Sequence, residues 1–421
     1  MDTTSWLIFF AGLINQMGRV MIPAIKTSVM ADAQFGPEFK QSVGKILSGV
    51  SLVCMGGKMV GAAVTDRLGG WVVLGAVFAI WIVSTVGAAA TASVHVFFAL
   101  WLFNSLAYTV TWGAQMQVIG ATYDAEARPA QISNAASSSR FGATIGNIVF
   151  GQLLSSGLPW RRTIATMIPL QVVLGVFCAY KAAASSAPKA AAGGKSKPDA
   201  AAAAAAEGVP PAVAMRTLEF WLLLVPKALT FTFTQFFMNY IPQLLNQVYG
   251  YSHGAAASLG GVAQGGSVVG LLVVGNMLYK KMSPSGKVTM TFAMLAVSTA
   301  APLALAAAGT PGLLPFDASA LVVPLAVVWG GAYVLPFYLP VGEYAAATGG
   351  KRYTALYANL FDGTGFVVSA LWNPWASASS KGGDFTMVLL SQAAVGAVSA
   401  LTMPLAMARI NARGRATKKQ A

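Results

Sequence analysis

Five ionisable side chains stand inside otherwise apolar stretches of this sequence: Arg19, Lys58, Arg140, Lys227 and Asp362. A charge at the centre of a bilayer costs roughly 2.5–3.5 kcal/mol on insertion scales, so each needs a reason to be there. Four are basic and one is acidic. A surplus of buried positive charge is costly unless it faces water or an anion, and the chemistry it predicts is anion binding. Arg19, some fourteen residues into its stretch, is the best placed anchor. Its planar fork matches a carboxylate or phosphate with two bonds. Arg140 follows Ser137-Ser-Ser, whose hydroxyls fit a hydrated wall, and offers a second contact. For Lys58, attraction of anions at an inner mouth and snorkelling to the surface are equal readings. Lys227, after Pro226, reads as snorkelling. Asp362 is either a carrier of a coupling proton or, the favoured reading, a permanent counter-ion to Lys58 or Arg140.

Amphipathic rings and amides supply the rest of a pocket for a small polar organic molecule. They are Tyr108, Trp112 and Gln115, then Gln235, Asn239 and Tyr240, then Tyr333 and Tyr338. Taken singly, each is as well explained by helix packing. Other chemistry is missing. His95 and His253 are the only histidines and stand far from Cys54 and Cys178, so no metal spacing appears. There is no phosphate-cradling loop before a Lys-Ser/Thr pair, no nucleophile triad and no paired carboxylates. The expectation is no cofactor, no metal and no enzyme.

The elements that hold these residues follow from composition. Of 421 residues, 56% are apolar and 10% charged, against about 25% charged in soluble domains. Mean hydropathy is +0.64. A polytopic membrane protein is what these figures leave. Twelve stretches are long enough to span: 5–26, 43–65, 71–92, 96–119, 130–154, 164–181, 217–242, 255–279, 287–308, 318–341, 353–376 and 385–408. Lipid offers the backbone no hydrogen bonds, so each is expected to be a helix. Many are rich in Gly and Ala, which lets helices approach closely in lipid.

The longest polar interruption, 182–216, contains an alanine run, Lys195, Lys197 and Pro210-Pro211, and reads as a mobile linker. It separates a half at 1–181 from a half at 217–408, with a basic tail at 409–421. Placing both termini in the cytoplasm puts 17 of the 27 Lys and Arg residues on that side, 6 opposite (Lys26 among them) and 4 inside spans. That is the bias expected of cytoplasmic loops. The net charge of +14 is thus assigned to topology and not to nucleic acid, and the tail to topology or anionic lipid. The partners expected are a small anionic metabolite and the bilayer, with the chain a monomer. The start, Met1 to Leu7, has Asp2 and no basic region, so no cleavable signal peptide is expected. Cell surface and organelle membrane are equally open.

The halves repeat weakly. Gln16-Met-Gly-Arg-Val-Met-Ile-Pro23 aligns with Gln235-Phe-Phe-Met-Asn-Tyr-Ile-Pro242, Gly56–Gly61 with Gly265–Gly270, Trp112-Gly113 with Trp329-Gly330, and Arg128 with Arg352. The common order carries the inference: two similar bundles that rock about a site at mid-membrane.

After span 2 the chain reads Gly61-Ala-Ala-Val-Thr-Asp66-Arg67-Leu-Gly69-Gly70. This resembles the G-x-x-x-D-R-x-G-R signature of the major facilitator superfamily of secondary transporters. The resemblance implies twelve helices in two pseudo-symmetric six-helix halves, an all-α membrane fold, and alternating access. It makes Asp66 and Arg67 a latch between the halves. Gly61 stands one place early, and Gly70 replaces the last Arg. The cognate loop after span 8 has Tyr279 in place of the acid. A weaker resemblance is to the organophosphate:phosphate antiporter branch, through Lys58 eight residues before Asp66, Asp362-Gly-Thr-Gly365, Trp112 and Pro159-Trp160-Arg161. That branch grips phosphate with an Arg in span 1 and another in span 7. Here Arg19 lies only four residues before Pro23, and the span 7 place holds Gln235.

The reading is a secondary transporter of a small organic anion, phosphorylated metabolites included, working by exchange. The binding candidates are Arg19, Arg140, Lys58, Tyr108, Trp112, Gln115, Gln235, Asn239 and Tyr333; those for gating or coupling are Asp66, Arg67 and Asp362. The alternatives are a monocarboxylate or oxalate/formate-type carrier and, from another class, a non-transporting receptor or scaffold on the same fold.

Overall fold

A computed structural model describes residues 2–123, 128–185, 208–310 and 319–420. The side chains of Asp66, Arg128, Lys280, Lys351 and Arg352, those of 413–420, and the middle of the expected linker lie outside the described residues. The long elements are all helical: α1 (Thr3–Ala31), α2 (Gly36–Leu68), α3 (Gly70–Ala90), α4 (Val94–Thr122), α5 (Arg128–Ser155), α6 (Trp160–Ala165), α7 (Met167–Ser185), α8 (Leu218–Asn239), α9 (Ile241–Gln247), α10 (His253–Val269), α11 (Pro284–Gly309), α12 (Ser319–Ser379) and α13 (Thr386–Gln420). α10 runs on as a wide π-helical segment, Gly270–Leu278.

The expected spans fall on these helices, 164–181 across α6 and α7, 217–242 across α8 and α9 and 255–279 across α10 and its π-helical continuation, but not every helix is apolar enough to be recognised as a span alone. Ten helices among the described residues are long and apolar enough to cross a membrane. The segments outside those ten are α5 and the second arm of α12. Their polar residues have partners inside the protein. On α5, Gln131 accepts from the Ser5 hydroxyl at 2.8 Å, and Ser139 donates to Gln16 at 3.2 Å. On α12, the Asn373 amide donates to the Leu47 carbonyl and the Ser51 hydroxyl, both at 3.3 Å.

The helical run of α12 contains a reversal. Tyr344 and Tyr357 are thirteen residues apart, which along a straight helix is about 20 Å. Their ring centroids are 5.9 Å apart, and Tyr344 meets Phe361 at 6.1 Å. The chain therefore doubles back between them, and its two arms are the expected spans 318–341 and 353–376.

α1 departs from expectation at its far end. Pro23 does not stop it, because a proline removes one hydrogen bond and can be carried as a kink. The helix continues to Ala31 with Pro23 inside it. Lys26, counted above among loop residues, is therefore an intrahelical cation. The turn that follows is held by Asp32. Its carboxylate accepts the Trp160 indole N–H at 3.0 Å and the backbone N–H groups of Gln34 and Phe35 at 3.0 and 2.9 Å. The Trp160 bond, then the two backbone bonds, with Arg161 nearby, hold this carboxyl below its ordinary value against the opposing effect of partial burial. Gly69 makes the α2–α3 turn at φ 86°, a conformation that favours glycine.

The chain forms two compact units. The first comprises Met1–Lys189, Gln235–Gly265 and Ala370–Gly383. In it α5 lies close along α1, with a Cβ at Gly142 meeting the Leu13 carbonyl at 2.3 Å. α5 also meets α10 through small residues in a reciprocal contact. A Cβ at Gly151 would stand 2.6 Å from the Gly254 carbonyl, and one at Gly254 would stand 2.6 Å from that of Gly151. Such approach is available only to glycine. The second unit comprises Ala190–Thr234, Gly266–Ser369 and Asp384–Ala421. Its core packs Phe220, Leu223, Tyr344, Tyr357, Phe361 and Met403. The Tyr357 hydroxyl donates to the Val209 carbonyl at 2.9 Å and ties the end of the linker to this core.

Candidate functional site

The first unit gathers three of the basic candidates on α1, α2 and α5. Arg19, Lys58 and Arg140 are all half-buried. Arg19 donates from Nη1 to the Tyr108 hydroxyl at 2.7 Å, and its guanidinium carbon stands 4.4 Å from the Tyr108 ring centroid. Among the described residues no carboxylate lies within ion-pair distance of Arg19. Among the described residues a neutral phenol leaves the formal charge without a counter-ion and four further N–H donors without an acceptor. Gln16, one turn before Arg19, accepts from Ser139, the residue preceding Arg140. α1 thus meets α4 through Arg19 and α5 through Gln16.

Gln235 and Asn239 meet each other, the Asn239 amide donating to Gln235 Oε1 at 2.9 Å. Gln115 is buried and donates to the Ile8 carbonyl at 3.0 Å, so its described contact is with the α1 backbone. Trp112 is 39% exposed, and Arg67 is exposed at the end of α2. The backbone of Asp66 is helical, but its side chain is outside the described residues. Trp112 and its repeat partner Trp329 have different surroundings, since Trp329 is fully buried against Phe233 with centroids 5.6 Å apart.

Tyr333 and Asp362 belong to the second unit. Tyr333 is buried, its ring edge-on to Phe233 at 5.7 Å. Asp362 lies 3.4 Å from Lys227 Nζ. This corrects one expectation. Lys227 does not snorkel: it donates to the Phe337 carbonyl at 3.0 Å, with the Phe337 ring centroid 3.2 Å from Nζ. A described counter-ion of Asp362 is this lysine. Burial on α8 beside an acid and aromatic rings gives the ammonium a better environment than the distant surface.

One buried cation escaped the sequence reading. Lys26 is 1% exposed. Its ammonium donates to the Asn239 carbonyl and, at 2.8 Å, to Gln243 Oε1, and lies 4.6 Å from the Tyr240 ring centroid. The available signal was its spacing of seven from Arg19, which puts the two on one helix face.

The described long helices, ten of them long and apolar enough to cross a membrane, make this an integral membrane protein with cations buried inside it. The chain belongs to the major facilitator superfamily, whose model matches residues 8–362. It is a secondary transporter. The fold is shared with solved transporters at low identity. A D-xylose-proton symporter matches at TM-score 0.70 and 13% identity, over 95% of this chain and 96% of its own. The nucleoside transporter NupG matches at 0.65 and 16%, over 96% and 99%. The human organic anion transporter TETRAN matches at 0.64 and 13%, over 96% and 100%. Comparison with curated protein sequences gives no match.

Proposed function

We propose that this transporter carries a small organic anion, phosphate esters included, in exchange for another anion. Its halves at 1–181 and 217–408 move against each other about the 182–216 linker, with both termini cytoplasmic and the chain a monomer. One observation carries the substrate class: Arg19 is a half-buried guanidinium whose described partner is the neutral phenol of Tyr108. In the second unit the acid is matched by Lys227. Asp362 is accordingly a structural counter-ion in this reading, and Asp66 and Arg67 are latch residues.

A second reading, a monocarboxylate or oxalate/formate-type carrier, is favoured by Gln235. Its neutral amide, bonded to Asn239, stands where a second arginine would grip a doubly charged head group.

The test is thermal stability of the purified chain against inorganic phosphate, glycerol-3-phosphate, hexose phosphates, pyruvate, lactate, oxalate and dicarboxylates. A ligand that binds only the folded state raises stability with the logarithm of its concentration above Kd. A shift that Arg19→Ala abolishes supports the proposal. Phosphate esters alone select the first reading and carboxylates alone the second. No shift with any anion removes both.

A further inference from the structure

We propose that Lys26 is a second anion station, at the far end of α1, which receives the carboxylate or phosphate group of the transported molecule before Arg19 does. This rests on the anion reading above and deepens it.

The polar residues of α1 form a line. Asn15, Arg19 and Lys26 follow one another by four and seven residues, the spacing that keeps side chains on one helix face. Arg19 and Lys26 are two turns, about 10.5 Å, apart along the axis. Asn15, one turn on the other side of Arg19, is buried, and its side-chain oxygen meets no donor among the described residues. The line therefore offers two cations in sequence and then an acceptor. An anion that leaves one ammonium meets a guanidinium two turns further along.

The present partners of Lys26 have the chemistry of the ligand it would take. Both are oxygen acceptors: the Asn239 carbonyl and Gln243 Oε1. Asn239 is the last residue of α8, and carbonyls at a helix C-terminus carry partial negative charge. The Tyr240 ring adds the negative face of its quadrupole at 4.6 Å. No carboxylate pairs with Lys26 among the described residues. A fully buried ammonium is thus held by neutral oxygens and a ring. Two anionic oxygens satisfy the same donors and also neutralise the charge. When α8 and α9 withdraw from α1, the ammonium is bared and binds the incoming anion. When they return, Asn239 and Gln243 displace the anion towards Arg19. The α8–α9 oxygens and the substrate compete for one cation.

Competition gives two variants opposite effects, which a plain structural tether does not. The experiment measures apparent Kd on the full purified chain by thermal shift, with glycerol-3-phosphate and pyruvate as probes. Lys26→Gln is expected to weaken binding of the responding probe about tenfold, since a hydrogen bond to a charged group is lost. Lys26→Arg should retain most of it. Gln243→Leu is expected to tighten binding severalfold, because it removes a competing oxygen. If Lys26→Gln and Gln243→Leu move Kd in the same direction, or neither moves it while Arg19→Ala abolishes the shift, the station is refuted and the Arg19 reading stands. If neither probe shifts the wild type but another anion in the panel does, the same three variants are compared with that anion. No response to any anion overturns the station together with the reading beneath it.

Discussion

Lys227 and Asp362 lie 3.4 Å apart in the second unit, and the cation is much the more deeply buried: its side chain is 3% exposed, that of the acid 31%. The asymmetry decides which partner the protein can lose. Removing the acid takes the counter-charge from a buried ammonium, whereas removing the lysine leaves a carboxylate that still reaches its surroundings. Breaking a buried pair from the wrong side costs about 3–5 kcal/mol. Asp362→Asn should therefore lower Tm more than Lys227→Met, and the double variant should recover part of the loss. Unfolding scans of the three proteins check this. Equal losses from the two single variants would contradict the burial argument.

Arg19→Lys keeps the charge and loses the fork. Because a guanidinium meets an oxyanion with two parallel bonds and an ammonium meets it as a point, anion affinity should fall about tenfold with Tm changed little. Tyr108→Phe removes one hydrogen bond of 2.7 Å and should cost about 1 kcal/mol of stability. Binding isotherms and melting curves on the same preparations separate the two effects.

Two glycines of the first unit should respond in opposite directions. Gly254→Val pushes a side chain into the Gly151 carbonyl and the Ser155 backbone, 2.6 and 2.5 Å from the ideal Cβ, and overpacking of this kind costs about 1–3 kcal/mol. Gly56, inside α2, has nothing within 4 Å of its Cβ position. Gly56→Ala should stabilise by about 0.5–1 kcal/mol through helix propensity. Melting temperatures that moved the same way would place the α5–α10 contact in doubt.

Asp32 predicts an acid limb in the stability curve. Its carboxyl is held below the ordinary value of 3.8, chiefly by the Trp160 indole N–H. A group whose folded value is depressed contributes stability that is complete above the unfolded value and is lost as pH falls through the folded one. The Tm advantage of wild type over Asp32→Asn should thus be constant near neutrality. It should shrink below about pH 4. An advantage unchanged down to pH 3 would show that the charge is not what holds the turn.

The fold was legible because lipid allows few solutions. The apolar lengths, the order of the repeat and Gly61–Gly70 were enough to place twelve helices and the family. The ion pairing was not legible, since sequence spacing shows what shares a helix and not what faces it. Lys227 finds Asp362 across some 135 positions, and nothing local distinguishes that acid from one that meets Arg140. Lys26 was missed for another reason. Lys26 stood at the expected end of its apolar stretch and read as a boundary, but α1 runs five residues further, to Ala31. Gln115 and Trp112 were singled out as residue types, and type alone does not reveal whether an amide meets a ligand or the Ile8 carbonyl.

The two segments least suited to lipid, α5 and the second arm of α12, have a consequence for how the chain is made. Both fall outside the ten most apolar helices, and each is translated after a helix that meets its polar groups: α1 for α5, α2 for the second arm of α12. Synthesis thus delivers the receptor before the guest. A fragment beginning after α1 should leave α5 in the ribosome-facing compartment in a glycosylation-tag insertion assay, and supplying α1 as a separate chain should restore its entry.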